Sequence, residues 1–253
     1  MEAQRCRATR EYWEGTEFNR LPSNPTSLFQ PEFDRWLPKR KDWSVIEIGA
    51  CPGHNLAALA RSHGYHPVAL DILPRVHELP AMFREFGIPD LESIEQDLLT
   101  LQTDRRFNIV ISFGFIEHFD NVEPILRRHW ELVAPGGFLV VGLPIFGAMQ
   151  MALRRLVLTP EQLEESLRIH NTDIMDMSVL RGYCEALPDI QILKCAYIWN
   201  MDTWLSPKHP HVRRDRRLIL ALWKLASLLP KALRVSSKLL SPYGLIVARK
   251  GEA

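Results

Sequence analysis

The residues best suited to do chemistry sit in four short stretches of a 253-residue chain. The first is Val45-Ile46-Glu47-Ile48-Gly49-Ala50-Cys51-Pro52-Gly53-His54-Asn55, an apolar run that enters a glycine turn and opens into a helical pattern. Gly49 lacks the Cβ that would keep a ligand away from the backbone, and Gly53 admits an unusual φ where the helix begins. Free N–H groups at that helix start suit a carboxylate. Asp71 stands 22 positions after Gly49, at the end of the next apolar run. An acid there can accept hydrogen bonds from both hydroxyls of a ribose. A third run closes on Gln96-Asp97-Leu98 and a fourth on Phe113-Gly114-Phe115-Ile116-Glu117-His118. His118 belongs to the residue type that titrates near neutrality, which makes it the candidate general base.

Two ligand classes compete for such a layout. Dinucleotide binders carry G-x-G-x-x-G, because the turn must wrap a pyrophosphate. Here the spacing is G-x-x-x-G, preceded by an acid inside the strand. Glu47 would be unwelcome beside a pyrophosphate but can serve an amino group. S-adenosyl-L-methionine offers an ammonium, a carboxylate and a ribose without a phosphate, and the residues fit it better than NAD.

The first stretch resembles motif I of the class I S-adenosylmethionine-dependent methyltransferases, roughly E/D-x-G-x-x-x-G. Asp71 is similar to that family's ribose-binding acid, and Gln96-Asp97-Leu98 to its third-strand site for the adenine amino group. Phe107-Asn108-Ile109-Val110-Ile111-Ser112 with Phe115-Ile116-Glu117-His118-Phe119 resembles its fourth-strand motif, D-x-V-x-x-x-x-x-x-E-H. Leu132-Val133-Ala134-Pro135-Gly136-Gly137 resembles its L-x-P-G-G turn. The resemblance covers about residues 43 to 145 with the motifs in order, and Asn108 stands where many members have Asp. It implies a Rossmann-like α/β fold with a mostly parallel seven-stranded sheet and helices on both faces. It also implies cofactor contacts from Glu47, Gly49, Pro52, Gly53 and Asn55 in the first motif. Asp71 with Ile72, Asp97 with Leu98, and Phe113 with Gly114 would complete them, with His118 as the catalytic residue and no metal.

The elements that must hold these residues follow from the periodicity. Strands are expected at 45–48, 67–70, 93–96, 107–113 and 138–143, with later ones at 190–198 and 243–248. Helices are expected from Asn55 to about Ser62, on to about Phe86, and from Pro124 to Val133. Alternation at this spacing builds βαβ units and a parallel sheet. Thr159-Pro160-Glu161-Gln162 reads as a helix start with a Thr cap, Pro at the first position and Gln at the third, and a further helix is expected from Asp173 to Ala186. Residues 1–42 read as an N-terminal helical or lid segment in which Tyr12 and Trp13 either close over the cofactor or cover the sheet. Residues 43–253 form the main domain, with an insertion at about 199–241.

Bulk properties narrow the acceptor. A net charge of +1, with 46% hydrophobic and 24% charged residues, argues against broad phosphate-backbone binding. Ser112-Phe113-Gly114-Phe115 is not the N/D-P-P-Y of base-amino methyltransferases. The four cysteines form no C-x-x-C pair and no zinc spacing, and the N-terminus shows no apolar signal segment, so the expected location is the cytoplasm. A small metabolite, a saccharide or a lipid-linked intermediate is the expected acceptor, with O-methylation foremost. The rivals are a cofactor-binding partner subunit without turnover and a nicotinamide-dependent oxidoreductase. Within the insertion, four arginines at 213–217 precede a leucine-rich stretch. Residues 209–229 therefore either meet the inner face of a membrane or pack on the domain or in a homodimer. His170 either faces the substrate or caps the helix after it.

Overall fold

The computed structural model describes residues 6–16, 25–198, 205, 212–226 and 236–252. Seven strands form one sheet: β1 (Ser44–Ile48), β2 (His66–Asp71), β3 (Glu92–Glu95), β4 (Phe107–Phe113), β5 (Val133–Pro144), β6 (Ile190–Ile198) and β7 (Tyr243–Lys250). Their order is β3-β2-β1-β4-β5-β7-β6. The pairs among β1 to β5 are parallel, and β7 runs antiparallel between β5 and β6. The chain therefore leaves β1 towards one edge and returns to β4 on the other side. That reversal opens a crevice at the carboxyl ends of the strands.

Strand alternation divides the core into two layers. Ile46, Ile48, Val68, Leu70, Val110 and Val141 face α5 (Glu123–Leu132) and α8 (Met177–Glu185), where Ile125, Leu126, Trp130 and Leu180 close the layer. Val45, Ala69, Ile109, Ile111, Val140 and Val247 face the other way. There they meet α2 (Gln30–Trp36), α3 (His54–His63) and α4 (Leu79–Glu85) through Phe33, Leu56, Leu59 and Phe83. Phe29, Phe33 and Leu37 are buried in this second layer, so the later part of the N-terminal segment belongs to the core. The earlier part, α1 (Arg10–Glu14), lies over the carboxyl ends of the strands.

Several elements differ from the expected pattern: β5 already begins at Val133 and contains Pro135-Gly136-Gly137, and the helix expected from Asp173 is a 3₁₀ turn at Thr172–Ile174 followed by α8 from Met177. Helix α6 (Ala148–Val157) was not anticipated; it joins α9 (Arg217–Ala226) in a separate small core of Leu153, Val157, Leu158, Leu205, Val212 and Leu220. The stretch after β2 begins as a single 3₁₀ segment at Pro74–Glu78 before α4. Helix α7 (Pro160–Arg168) starts as its sequence requires: the Thr159 side chain accepts from Gln162 N–H, and the Gln162 side chain reaches back to Thr159 N–H.

Asn108 ties the first and fourth strands at their entry. Its Oδ1 accepts from Ser44 N–H at 3.0 Å. Asn108→Ala leaves that half-buried N–H without its acceptor and should cost about 1–2 kcal/mol, whereas Asn108→Asp keeps the acceptor and should be close to neutral. Denaturant midpoints of the two variants check this.

Candidate functional site

A cavity of about 310 Å³ occupies the crevice, at the lower end of the roughly 300–1,000 Å³ of small-molecule sites. The carboxyl end of β1 supplies Ile48, Gly49 and Cys51, and the end of β2 supplies Asp71, Ile72 and Leu73. Asp97 and Leu98 follow β3, while Phe113, Gly114, Phe115 and His118 close the β4 side. The cover comes from Cys6, Ala8, Thr9, Arg10 and Trp13. Trp13 stands edge-on to the His118 ring at 5.0 Å and Tyr12 edge-on to Trp13 at 5.1 Å. The cover is pinned by Arg7 to Asp120 at 2.6 Å and by Arg10 to Glu95 at 3.3 Å. Arg75 donates to the carbonyls of Glu14 and Thr16.

Gly49 is required for a reason the sequence does not display. Its φ is +69°, and a Cβ there would lie 2.7 Å from the Phe115 ring. The obstacle is thus the neighbouring loop rather than a ligand. Gly53 has φ +91° at the start of α3, as its position suggests.

Asp71 is buried and organises the turn. One carboxylate oxygen accepts from Cys51 N–H at 2.8 Å and the other from Leu73 N–H at 2.9 Å. Each oxygen retains acceptor capacity for a hydroxyl, and the residue lies in the cavity wall. Asp97 Oδ1 accepts from Leu99 N–H at 2.9 Å, which holds that acid at the wall too.

Glu47, Gly53 and Asn55 do not line the cavity, and Pro52 borders an adjoining groove with Arg75, Glu78 and Met82. The cause for Glu47 is strand alternation. It points to the α3 side, where it accepts from Leu56 N–H at 3.0 Å and from Asn55 Nδ2 at 3.4 Å. It joins β1 to the start of α3. Burial pushes its carboxyl up to about 8, against the two hydrogen bonds that favour the charged form, with Asp71 adding to the rise.

His118 is in the cavity wall but does not have the electronic character expected of a base. Its Nδ1 donates to the Ile169 carbonyl at 2.8 Å, and burial holds the imidazole down to about 4, with the Ile169 and Gly114 carbonyls opposing the shift. A base with so acidic a conjugate acid takes a proton inefficiently at neutral pH. His170 is buried, 4.7 Å from the His118 ring, and the N–H of the following helical turn is capped by Asn171 instead.

Fold and site together define a class I S-adenosylmethionine-binding α/β protein. A family model described as a methyltransferase domain matches residues 17–163, and the chain belongs to that family. Among curated proteins it is similar to a ubiquinone biosynthesis O-methyltransferase of Rickettsia typhi, 23% identical over 38% of this chain and 39% of the relative. The chain thus matches about two-fifths of that relative's length. Among solved structures, coclaurine N-methyltransferase bound to N-methylheliamine and S-adenosylhomocysteine superposes with a TM-score of 0.55 at 13% identity. The alignment covers 88% of this chain and 72% of that one. A plantazolicin methyltransferase in complex with S-adenosylhomocysteine gives 0.54 at 12% identity, over 83% and 76%. The cofactor is S-adenosylmethionine. The residues present suit it: an acid with spare acceptor capacity at the end of β2, a second acid beyond β3, and a glycine turn between them.

Two outcomes follow. Asp71→Ala should weaken S-adenosylhomocysteine binding by about 1.5–3 kcal/mol, the loss of a hydrogen bond to a charged group; calorimetry on the folded variant reads it. Glu47 titrates higher in the folded chain than in the unfolded one. Its favourable contribution is therefore complete below the ordinary 4.5 and lost as pH rises towards about 8. The stability of Glu47→Gln relative to wild type should accordingly rise across that window, as read from denaturation at its two ends.

Proposed function

We propose that the chain transfers a methyl group from S-adenosylmethionine to an oxygen of a small, apolar acceptor that is linked to or dissolved in lipid. The cofactor supplies an activated methyl on a sulfonium, so the protein needs no covalent catalysis. Its tasks are to align the acceptor with the methyl carbon and to exclude water. The glycine turn and Asp71 orient the donor, while Trp13, Phe115 and Phe119 wall the cavity against solvent.

The character of His118 supports an acceptor that is acidic in itself. A wall histidine held to about 4 gives little help to an alcohol or a sugar hydroxyl, whereas a phenol or enol loses its proton readily. The likeness to a ubiquinone biosynthesis O-methyltransferase points the same way.

The observation that carries the lipid part is α9. Leu218, Leu222 and Leu225 are 69%, 57% and 65% exposed on one face of the helix, while Leu220 on another is buried in the small core. Arg213, Arg214 and Arg217 stand exposed immediately before or at the helix start. An apolar stripe beside a basic cluster adds two weak attractions to an anionic bilayer surface. No helix among the described residues is long and apolar enough to cross a membrane; α9 would lie on it. His209 to His211 and Ser227 to Leu229 fall outside the described residues.

Methyl-labelled donor tested against a phenol with an isoprenoid tail, a water-soluble phenol and a sugar, each with and without anionic vesicles, decides the matter. Turnover should favour the tailed phenol and rise with vesicles. The rise should fall at high salt and in Leu222→Asp/Leu225→Asp. Turnover of the sugar alone would overturn the acceptor class, and a stable dimer with no vesicle binding would assign the leucine face to a second copy.

A further inference from the structure

Beside the cavity, two distant parts of the chain bring three buried side chains together. Glu117 and His118 lie on the single 3₁₀ turn Ile116–His118 after β4, and His170 follows α7. One ligand atom from each lies within 4.8 Å of the other two. The segments are held in place by Asn171, whose N–H donates to the Glu117 carbonyl at 2.6 Å and whose side chain donates to the carbonyls of Phe119 and Asp120.

Glu117 is 1% exposed, and neither carboxylate oxygen has a hydrogen-bond partner among the described residues. A buried carboxylate in that condition is costly and calls for a counter-charge or a proton. His118 Nε2 lies 4.0 Å from Oε1.

Each histidine has a backbone acceptor on its Nδ1. His118 Nδ1 faces the Ile169 carbonyl at 2.8 Å and His170 Nδ1 faces the Ser166 carbonyl at 2.5 Å. A carbonyl only accepts, so each Nδ1 carries the proton and the His170 Nε2 presents a lone pair; the His118 ring is also approached by the Gly114 carbonyl, a contact that a metal on its Nε2 would replace. A backbone acceptor on the far nitrogen is the usual support of a metal-bound imidazole.

We propose that Glu117, His118 and His170 bind one divalent transition-metal cation through a carboxylate oxygen and two imidazole nitrogens. This donor set suits Zn²⁺, and also Mn²⁺, Fe²⁺ or Co²⁺. Tetrahedral bonds of about 2.0–2.1 Å place ligand atoms roughly 3.4 Å apart, so no pair must close by more than about 1.4 Å. Three protein ligands leave a further position for an oxygen ligand. Arg7 and Arg154 lie close enough to His170 to oppose a cation, but Arg7 is neutralised by Asp120 at 2.6 Å. The histidine spacing hides the site from the sequence, since 51 residues separate His118 from His170.

The site does not depend on which acceptor is methylated, and its test is binding rather than turnover. Chelator-treated protein is titrated with Zn²⁺ by calorimetry and with Co²⁺ by visible absorption, and S-adenosylhomocysteine affinity serves as the check on folding. One cation per chain is expected, with Co²⁺ bands of low coordination number. Glu117→Gln and His170→Ala should each weaken Zn²⁺ binding by about 100-fold or more while cofactor affinity stays nearly unchanged. Absence of stoichiometric binding by the wild-type chain would overturn the proposal whatever the variants do. So would equal binding by the Glu117→Gln/His170→Ala double variant.

Discussion

The cavity depends on how closely the turn after β1 lies against the loop after β4. With no side chain at Gly49, the Phe115 ring can occupy the place a Cβ would take, and the positive φ aims the backbone so that Gly49 N–H and Ala50 N–H both reach the Leu70 carbonyl. One residue thereby couples three strand ends. The position of Phe115 in turn sets the rings of Phe119 and His129 beside it, at 5.2 and 5.7 Å. The turn that carries Glu117 and His118 continues from the same residue. A side chain at residue 49 would therefore disturb the cofactor wall and the Glu117–His118 turn in one step.

The same fold buries several ionisable groups. Glu47, Glu117, His118, His129 and Arg154 are each shifted towards their neutral form, with desolvation as the leading cause. Glu47 recovers part of the cost through two hydrogen bonds that fasten α3 to β1. Arg154 lies over the Phe146 ring at 4.0 Å, where a guanidinium gains from the ring face. Glu117 has no such compensation among the described residues. The contrast between two glutamates of equal burial separates a structural carboxylate from one that still lacks a partner.

Much of this could be read from the sequence, because strand identity depends on local pattern. The apolar runs at β1, β2 and β4 and the Thr159 capping box are written in adjacent residues. Asp71 and Asp97 both line the cavity because each follows such a run, and termini of parallel strands gather on one edge. What could not be read depends on orientation or distance. Glu47 is in the right motif but on the face of β1 that meets α3, a matter of strand phase at a single residue. The need for glycine at 49 involves Phe115, 66 positions away. The electronic state of His118 is decided by burial and by the Ile169 carbonyl, neither visible in an E-H pair. Helix α6 is not legible in the sequence because its apolar face meets the insertion rather than the main sheet.

The floor and the cover of the cavity are built at different energetic scales. The floor consists of parallel strands, of which β1, β2 and β4 have almost wholly buried residues and are hydrogen-bonded to a strand on each side. The cover rests on α1, five residues long, far below the length at which a helix holds itself in water. Its ties are a few backbone hydrogen bonds, among them Arg7 N–H to the His118 carbonyl at 2.6 Å, and ion pairs between half-exposed partners, such as Arg7 with Asp120 and Arg10 with Glu95. Such pairs contribute about 0–1 kcal/mol each. Edge contacts of Trp13 and Tyr12 add about 0.5–1.5 kcal/mol apiece. Opening the cover therefore costs a small fraction of what unfolding the sheet would cost, and a segment of this kind belongs to the low-stability end of a native structure. A cofactor enclosed by such a wall can enter and leave without disturbing the strands that position it.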